Sequence, residues 1–402
     1  MSGYVIKTKK LARPLAFRLS HIDIELTERC NNRCIHCYIN QPVDDHNLKA
    51  REMESVFIKD LLRQAADLGS LSVRFTGGEP LLREDFIELY LYARHLGLKV
   101  LIFTNARLIN SELVELFSRI PPGKPLEVSF YGMSACSYDA VTGVRGAFDE
   151  FQKGINLLRD YDIPFLVKQS LLPQNRDEIP EFEAFASALP AMEKSPNYAM
   201  NFDLRARRDD EEKNRCIRLL RISPEETLAM VTREPEKYIK EMRAFVLKFM
   251  GPPGDKIFNC GAGHGVCIDA YGRAQMCMLL RHPDTVYPLD QILHRENYPA
   301  SKLQPLEYAL TDFFPQVRKM RSQNSEYLQR CAVCFLKGLC NQCPAKSWEE
   351  HGTFDTPVEY LCLVAHAQAV YLGLVLDGEK SWEIKPDVWQ SRLKSFIAVS
   401  KS

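Results

Sequence analysis

The sequence has 402 residues, of which 46% are hydrophobic and 26% are charged, a composition typical of a folded enzyme and unlike that of a collagen, a coiled coil or a disordered chain. Its 52 basic and 52 acidic side chains balance, so no net charge attracts nucleic acid or an anionic membrane surface, and we expect neither as a partner. The apolar runs are too short for a membrane span, and the basic N-terminus lacks the apolar core of a signal peptide. We therefore expect a cytoplasmic protein.

Short apolar runs alternate with longer amphipathic segments over residues 20–250, which is the pattern of parallel β/α units. Strands are predicted at 21–26, 71–75, 99–103, 126–130, 164–171 and 198–204. Helices are predicted at 51–68, 84–96, 111–117, 148–161, 178–189 and 224–249. Six such units predict an α/β fold with an incomplete, TIM-like (β/α)6 barrel rather than a closed barrel of eight units.

One side of the first predicted strand is polar, because His21, Asp23 and Glu25 alternate with aliphatic residues. A closed barrel would fill that side with aliphatic side chains. One interpretation is therefore an open lumen that holds a substrate, and the alternative is a half-exposed edge strand.

A Gly-Pro-Pro-Gly sequence at 251–254 ends the barrel pattern. The sequence after it has many cysteines and little periodicity, as in small modules held together by metal. We predict an N-terminal extension at 1–19, the barrel at 20–250, a cysteine-rich module at 255–365 and a helical tail at 366–402.

Thirteen cysteines are unusual for such a chain. Disulfides are rare in a reducing compartment, so metal ligation is the first interpretation. Cys30, Cys34 and Cys37 directly follow the first strand, and three thiolates on one loop can hold three irons of a four-iron cluster. A zinc ion with His36 as its fourth ligand is the alternative, although adjacent residues such as His36 and Cys37 bind one tetrahedral ion poorly.

The Cys-x3-Cys-x-aromatic-Cys spacing, with His36 at the aromatic position, resembles the radical S-adenosylmethionine (SAM) superfamily. The segment Phe-Thr-Gly-Gly-Glu-Pro at 75–80 resembles that family's Gly-Gly-Glu segment, which runs past the methionine amino group of SAM. The resemblance implies that Gly77, Gly78, Glu79 and His36 bind SAM. A plain strand-to-helix turn is the alternative for the Gly-Gly-Glu segment taken alone.

Two further positions follow from the same resemblance. Ser129 on the fourth strand matches a family serine near the SAM ribose. The family usually has an arginine near the SAM carboxylate, but Thr142 occupies its place here. Lys168 and Arg145 are the substitutes that we consider, and each has a surface charge as its alternative.

In the cysteine-rich module, Cys260 is followed by eleven residues, Gly272, four residues and Cys277. A Cys-x2-Cys-x5-Cys-x2-Cys run and a last cysteine come later. This pattern resembles the SPASM domain, which holds two auxiliary four-iron clusters in radical SAM enzymes. The resemblance implies Cys260, Cys277 and Cys343 as ligands of the first auxiliary cluster. It implies a second auxiliary cluster with four ligands: Cys331, Cys334, Cys340 and Cys362.

The pattern supplies three ligands for the first auxiliary cluster and leaves its fourth ligand unassigned. Cys267 is expected to complete it, and without Cys267 one iron would be free to bind substrate. A pair of zinc sites is the alternative for the whole module, but its Cys-x2-Cys pairs are closer together than those of the usual zinc ribbon. The remaining thiols, Cys136 and Cys216, are expected in or near packed surfaces.

The resemblance implies an oxidoreductase that binds SAM and three [4Fe-4S] clusters. Such an enzyme cleaves SAM reductively to a 5'-deoxyadenosyl radical and oxidatively modifies a peptide, by a crosslink or by side-chain or backbone oxidation. Met278 replaces an aspartate found in sulfatase-maturing relatives, which argues against formylglycine formation. A separate leader-recognition protein and an electron donor such as flavodoxin or ferredoxin are the expected partners.

Two alternative functions stay open. The same radical chemistry could act on a small molecule such as a tetrapyrrole or a sugar. Arg205, Arg207 and Arg208 near the sixth strand would suit an anionic substrate, and a solvated charged loop is the alternative for them. A non-enzymatic iron-sulfur electron carrier is the second alternative, although a carrier needs no Gly-Gly-Glu segment.

Overall fold

The computed structural model describes residues 18–39, 41–192, 199–200, 210–260, 262–263, 265–289 and 304–398. Most of the predicted N-terminal extension lies outside these residues. So do the predicted sixth strand beyond residue 200 and the arginines at 205, 207 and 208.

The barrel strands pair in parallel and in chain order. The strands are β1 (Ile22–Thr27), β2 (Arg29–Cys30), β3 (Gln41–Pro42), β4 (Ser72–Gly77), β5 (Lys99–Thr104), β6 (Leu126–Phe130), β7 (Phe165–Leu171), β8 (Ala199–Met200), β9 (Val266–Ile268), β10 (Arg273–Gln275) and β11 (Val286–Pro288). Strands β1, β4, β5, β6, β7 and β8 lie side by side in that order, each parallel to the next. This arrangement confirms the predicted partial barrel.

Helices connect the strands and form the C-terminal part of the chain. They are α1 (His46–Lys49), α2 (Ser55–Asp67), α3 (Phe86–His95), α4 (Ser111–Arg119), α5 (Ala135–Thr142), α6 (Ala147–Asp160), α7 (Ile179–Ser187), α8 (Glu211–Leu219), α9 (Pro224–Val231), α10 (Pro235–Phe249), α11 (Pro305–Tyr308), α12 (Phe314–Val317), α13 (Ser325–Gln329), α14 (Pro344–His351), α15 (Glu359–Tyr371) and α16 (Pro386–Ala398). None of the described helices is long and apolar enough to cross a membrane.

The predicted helix at 224–249 is wrong as a single element, because the structure divides it into α9 and α10. Thr232 ends α9, and its hydroxyl donates to Leu228 O at 2.8 Å. Pro235 begins α10, since a proline lacks the N–H that a continuing helix would need but fits the first turn of a new one. Helices α5 and α8 are absent from the sequence prediction.

The barrel core lies between the sheet and its helices. Ile22, Ile24 and Leu26 on β1 are fully buried, as the period-two alternation of a strand requires. Burying one such side chain contributes about 1.5–3 kcal/mol. Leu306 and Phe314 of the cysteine-rich module belong to the same apolar cluster, so the barrel core continues into the module.

A hairpin of the cysteine-rich module extends the barrel sheet beyond β1. Strand β9 runs parallel to β1, with Ile22 opposite Val266 and Ile24 opposite Ile268. Strands β10 and β11 follow in antiparallel pairing. Because β1 has a neighbour on each side, the edge-strand alternative is wrong.

A second apolar cluster joins the end of the barrel sequence to the C-terminal helices. Phe335 and Leu336 pack there with Val246 of α10 and Ala369 of α15. Helix α16 covers this cluster, and its Trp389 ring stacks on Phe335 with centroids 5.3 Å apart.

Candidate SAM and iron-sulfur sites

The loop after β1 groups the first three cysteines at the carboxyl ends of the parallel strands, where barrel enzymes have their active sites. Cys30 and Cys34 are 8% and 4% exposed, and Cys37 is half-buried. Burial raises the pKa of Cys30 to about 12, and burial with the charges of Cys37 and Cys30 raises that of Cys34. Asn32 N and Asn105 Nδ2 donate to Cys30 Sγ at 3.4 and 3.7 Å. The sulfurs therefore form one buried group with hydrogen-bond donors in place.

This donor set fits a four-iron cluster better than a single metal ion. Among the residues that the structure describes, no three His, Cys, Asp or Glu side chains converge as the ligands of one ion would. A four-iron cluster needs no such convergence, because each thiolate binds its own iron. Three thiols suit three irons and leave the fourth iron for another ligand.

The Gly-Gly-Glu segment at the end of β4 lies against the backbone of the cysteine loop. Gly78 N donates to Thr27 O at 2.7 Å, and Glu79 N donates to Arg29 O at 3.0 Å. A Cβ on Gly77 would lie 2.1 Å from Thr27 O, and one on Gly78 would lie 2.3 Å from Arg29 O. Gly77 also has a φ of +122°, which favours glycine. The two glycines therefore allow the segment to hold the cysteine loop in place.

The Glu79 carboxylate is fully buried and is bonded within the protein. Its Oε1 accepts from Leu81 N at 3.1 Å and from Thr104 Oγ1 at 2.9 Å, and its Oε2 accepts from Asn105 N at 2.8 Å. Burial raises the pKa of Glu79 to about 7. The side chain thus ties the end of β4 to the end of β5, beside the cysteines.

His36, Ser129 and Tyr131 lie together next to the cysteine loop. The His36 ring meets the Tyr131 ring edge-on, with centroids 5.6 Å apart. Within the described part of the chain, His36 Nδ1 is buried without a hydrogen-bond partner, and burial lowers the pKa of His36 to about 4, so the ring is neutral. Tyr131 lies close enough to Cys34 and Ser129 for its hydroxyl to interact with both side chains. Sequence reasoning missed Tyr131, although it is two residues beyond Ser129 and so on the same face of the chain.

Arg107 is a second residue that sequence reasoning missed. Its Nη1 donates to Asn31 O in the cysteine loop at 2.5 Å. Its Nε donates to Glu150 of α6 at 2.9 Å. The guanidinium therefore ties the cysteine loop to α6. The only sequence signal is its place two residues after Asn105.

The polar side chains of β1 face the lumen and form hydrogen bonds or ion pairs with each other and with β4. Asp23 accepts from His21 Nε2 at 2.8 Å and from Arg74 Nη1 on β4 at 2.9 Å. His21 Nδ1 lies 2.7 Å from Ser72 Oγ. These pairs favour the interpretation of a polar lumen.

Lys168 belongs to the same lumen surface. It pairs with Glu127 on the neighbouring strand β6. Lys168 and Arg74 both lie over the Phe103 ring, with the Lys168 Nζ 5.2 Å and the Arg74 Cζ 4.5 Å from its centroid. Arg145, the other candidate partner of the SAM carboxylate, is exposed in the loop before α6.

Arg281 of the cysteine-rich module binds two buried carboxylates of the barrel. Its Nη2 donates to both oxygens of Glu25, at 2.6 and 2.7 Å, and its Nη1 donates to Glu28 Oε1 at 3.0 Å. Tyr271 donates to Glu28 Oε2 at 2.8 Å. Both carboxylates are 1% exposed. Burial raises the pKa of Glu25 to about 7, although Arg281 lowers it.

The four cysteines assigned to the second auxiliary cluster surround one cavity of about 60 Å³. Burial raises the pKa of Cys331 and Cys340 to about 12, and the neighbouring thiol charges of the group add to this effect. It also raises the pKa of Cys362 to about 11. The cavity therefore brings together Cys331, Cys334, Cys340 and Cys362, which are as many thiolates as a fully ligated four-iron cluster needs. Cys343, which is assigned to the first auxiliary cluster, also lines this cavity.

The cysteines assigned to the first auxiliary cluster differ in their burial. Cys277 and Cys343 are half-buried and close enough for their charges to interact. Cys260 is exposed. Cys267 lies on β9 beside Asp23, is fully buried, and has its Sγ 4.0 Å from Glu25 Oε1. Its side chain therefore belongs to the lumen wall.

Cys136 and Cys216 are exposed, so they lie at the surface. Cys216 Sγ lies 3.8 Å from Glu212 Oε1 on the preceding turn of α8.

Comparisons with known proteins agree with this geometry. Residues 24–186 match the radical SAM superfamily. An AdoMet-dependent heme synthase of Methanosarcina barkeri (strain Fusaro / DSM 804) is 33% identical over 168 residues, which are 42% of this chain and 47% of that protein. The chain thus spans about half the length of this relative.

Two further proteins match a larger share of the chain. The antilisterial bacteriocin subtilosin biosynthesis protein AlbA of Bacillus subtilis (strain 168) is 25% identical over 329 residues, which are 79% of this chain and 68% of AlbA. The crystal structure of Streptococcus suis SuiB bound to precursor peptide SuiA has a TM-score of 0.55 and 19% identity, covering 85% of this chain and 75% of SuiB. Residues 24–186 therefore match the radical SAM superfamily, and the fold of the chain is similar to the partial barrel of SuiB.

Proposed function

We propose that the protein is a radical SAM enzyme that oxidatively modifies a peptide with the help of two auxiliary clusters. The main supporting observation is the position of the cysteine loop. It lies at the open end of a polar lumen, is held by the Gly-Gly-Glu segment, and is linked through Arg281 to the cysteine-rich module.

Each part of the site has a role in this proposal. Cys30, Cys34 and Cys37 hold the SAM cluster, and the backbone of Gly77 and Gly78 supports their loop. SAM bound there would supply a carbon radical able to remove hydrogen from an unactivated carbon. The protein orients the reactants and keeps water out, and no general base is required for hydrogen removal.

Residues around SAM complete the proposed binding site. His36 offers a neutral ring and Ser129 a hydroxyl for the nucleoside, while Glu79 fixes the Gly-Gly-Glu turn. Lys168 is proposed for the SAM carboxylate, for which it would exchange its partner Glu127.

A peptide is the favoured substrate because the similarity to peptide-related proteins extends beyond the barrel. The AlbA match covers 79% of the chain, whereas the heme synthase match covers 42%. A cysteine-rich module that can accept electrons suits an oxidation. A tetrapyrrole substrate is the second candidate, supported by the heme synthase. A leader-recognition protein and a flavodoxin or ferredoxin are the proposed partners.

The first experiment tests the SAM chemistry. After anaerobic reconstitution we expect about twelve irons per chain, four for each cluster. Reduction in the presence of SAM should release 5'-deoxyadenosine, and Cys34→Ala should abolish this release. Cys216→Ala, at an exposed cysteine outside the three groups, is the control that should retain it. Tightly bound zinc, or no SAM cleavage, would contradict the proposal.

The second experiment identifies the substrate. The protein is co-expressed with short open reading frames encoded beside its gene, and the peptides are examined by mass spectrometry. A mass loss of about two hydrogens in one peptide is expected for an oxidation. If no peptide changes while an iron tetrapyrrole is converted by the purified enzyme, the tetrapyrrole candidate replaces the peptide.

A further inference from the structure

The segment between α15 and α16 folds back over the cavity assigned to the second auxiliary cluster. Ser381 is 1% exposed, and its Oγ lies 3.0 Å from Cys334 Sγ. A thiolate bound to iron has no proton to give, so the Ser381 hydroxyl must donate in this contact. The segment thus brings a buried donor to a cluster sulfur, although it lies beyond the last cysteine of the module.

A second pair of donors lies beside Cys362 in the same cavity. Arg330 Nη2 is 3.7 Å from Cys362 Sγ. His366 Nδ1 is 3.6 Å from the same sulfur and 2.8 Å from Cys362 O. Ser381 N lies 3.2 Å from His366 Nε2, so Nε2 accepts and the proton is assigned to Nδ1. His366 therefore connects the segment between α15 and α16 to the sulfur of Cys362.

Trp382 packs against both His366 and Arg330. Its ring packs against the His366 ring at 5.5 Å, and the Arg330 Cζ lies over it at 4.5 Å from the centroid. Arg330 also pairs with Glu326 and Glu359. These contacts fix the direction in which the Arg330 guanidinium points toward the cavity.

Donors to cluster sulfurs favour the reduced state, because reduction adds negative charge to the cluster. We propose that Ser381, His366 and Arg330 form a hydrogen-bonding cover that raises the reduction potential of the second auxiliary cluster. The three are positioning residues, since they act through the cluster and not on substrate. The inference rests on the proposed function only in assigning a four-iron cluster to this cavity.

Packing of the C-terminal region does not require the Ser381 hydroxyl. Trp389 stacks on Phe335, and Arg392 pairs with Glu379. These contacts hold α16 and the segment before it in place. Ser381→Ala should therefore fold and bind iron as the wild type does, which separates an effect on potential from an effect on structure.

The test is an EPR-monitored redox titration of the reconstituted full-length protein. The second auxiliary cluster is identified as the signal that disappears in Cys340→Ser. In Ser381→Ala we expect the ratio of reduced to oxidised cluster at a fixed potential to fall about tenfold, which is ~59 mV for one electron. Arg330→Gln should shift the potential in the same direction. Ser395→Ala, at an exposed serine of α16, should leave it unchanged.

The outcomes separate this inference from the proposed function. An unchanged potential in Ser381→Ala with the iron content intact would overturn the inference, and so would loss of about four irons from that variant, since the hydroxyl would then hold the cluster rather than tune it. If the wild type has no cluster in this cavity but still cleaves SAM, the inference fails while the SAM chemistry stands. A shifted potential in a chain that does not cleave SAM would support the inference and contradict the proposed function.

Discussion

Arg281 and Glu25 are the residues at which the barrel and the cysteine-rich module depend most directly on each other. The Arg281 guanidinium donates hydrogen bonds to the carboxylates of Glu25 and Glu28, and both carboxylates are buried. Removing one partner of a buried ion pair leaves an uncompensated charge, which costs about 3–5 kcal/mol. The charge state of Glu25 should therefore determine how well the chain tolerates loss of Arg281.

We expect Arg281→Met to lower the free energy of unfolding by about 3–5 kcal/mol at pH 8. The loss should be smaller at pH 6. With Arg281 in place the pKa of Glu25 is about 7, because burial raises it more than Arg281 lowers it. Glu25 is therefore mostly neutral at pH 6, and removing Arg281 leaves less uncompensated charge there than at pH 8. Urea denaturation at the two pH values measures both effects.

Arg321→Met is the matched control for Arg281→Met. Arg321 forms an exposed ion pair with Asp255, and such pairs contribute at most about 1 kcal/mol. The control should show a small change at both pH values. An equal loss for Arg281→Met at pH 6 and pH 8 would show that Glu25 does not take up a proton.

The role of Cys267 decides whether the first auxiliary cluster has four thiolate ligands or only three. Its strand pairing fixes its sulfur on the lumen side against Glu25. From this position we expect Cys267→Ser to keep about twelve irons per chain, whereas Cys340→Ser should lose about four. Iron and sulfide analysis measures the difference. Loss of about four irons from Cys267→Ser would instead support the expectation that Cys267 completes the first auxiliary cluster.

At the scale of secondary structure, the end of β4 controls the shape of the cysteine loop. A Cβ at Gly78 would lie 2.3 Å from Arg29 O and 2.6 Å from Glu28 O. Because these are backbone atoms, they can move only if the loop moves. Gly78→Ala should therefore lose SAM cleavage and about four of the twelve irons. Anaerobic iron analysis and 5'-deoxyadenosine release test this.

Gly265→Ala is the control for that substitution, since it adds the same methyl group beside β1. Its Cβ would meet only His21 O, at 3.4 Å, which is an ordinary contact. Full iron content and SAM cleavage are expected for it. If Gly78→Ala behaved in the same way, the close approach to the cysteine loop would have no functional importance.

Hydrophobic period and local spacing predict much of this structure, because strands and helices follow from patterns within a few residues. The order of barrel strands and the grouping of Cys30, Cys34 and Cys37 follow from such patterns. The parallel pairing of β9 with β1 does not, because it joins segments that lie far apart in the sequence. The break at Pro235 was missed because the apolar pattern runs through it.

In the site, too, residues that belong to a local sequence motif can be predicted, whereas contacts between distant segments cannot. Glycines at Gly77 and Gly78 can be predicted from their motif, but their close contact with the loop after β1 depends on the fold. Arg107 and Tyr131 have no motif of their own, and only their contacts with the cysteine loop identify them.

At the scale of the whole molecule, iron should stabilise the module more than the barrel. Iron removal would take away the clusters that hold the cysteine-rich segments together, whereas the strands β4, β5 and β6 are held by buried apolar side chains. We expect hydrogen exchange after iron removal to accelerate at 325–343 and 376–385 and to change little in those strands. Equal acceleration throughout the sheet would show that the clusters also hold the barrel.

On the ribosome, β1 is made before its partner β9, which follows only after the whole barrel sequence. Until then one edge of β1 is unpaired, and an open edge invites pairing with other chains. Inward-pointing charges are one means by which proteins discourage such pairing, and Asp23 and Glu25 lie on that strand. We therefore expect the charges that line the lumen of the finished protein also to discourage pairing of the nascent chain with other chains.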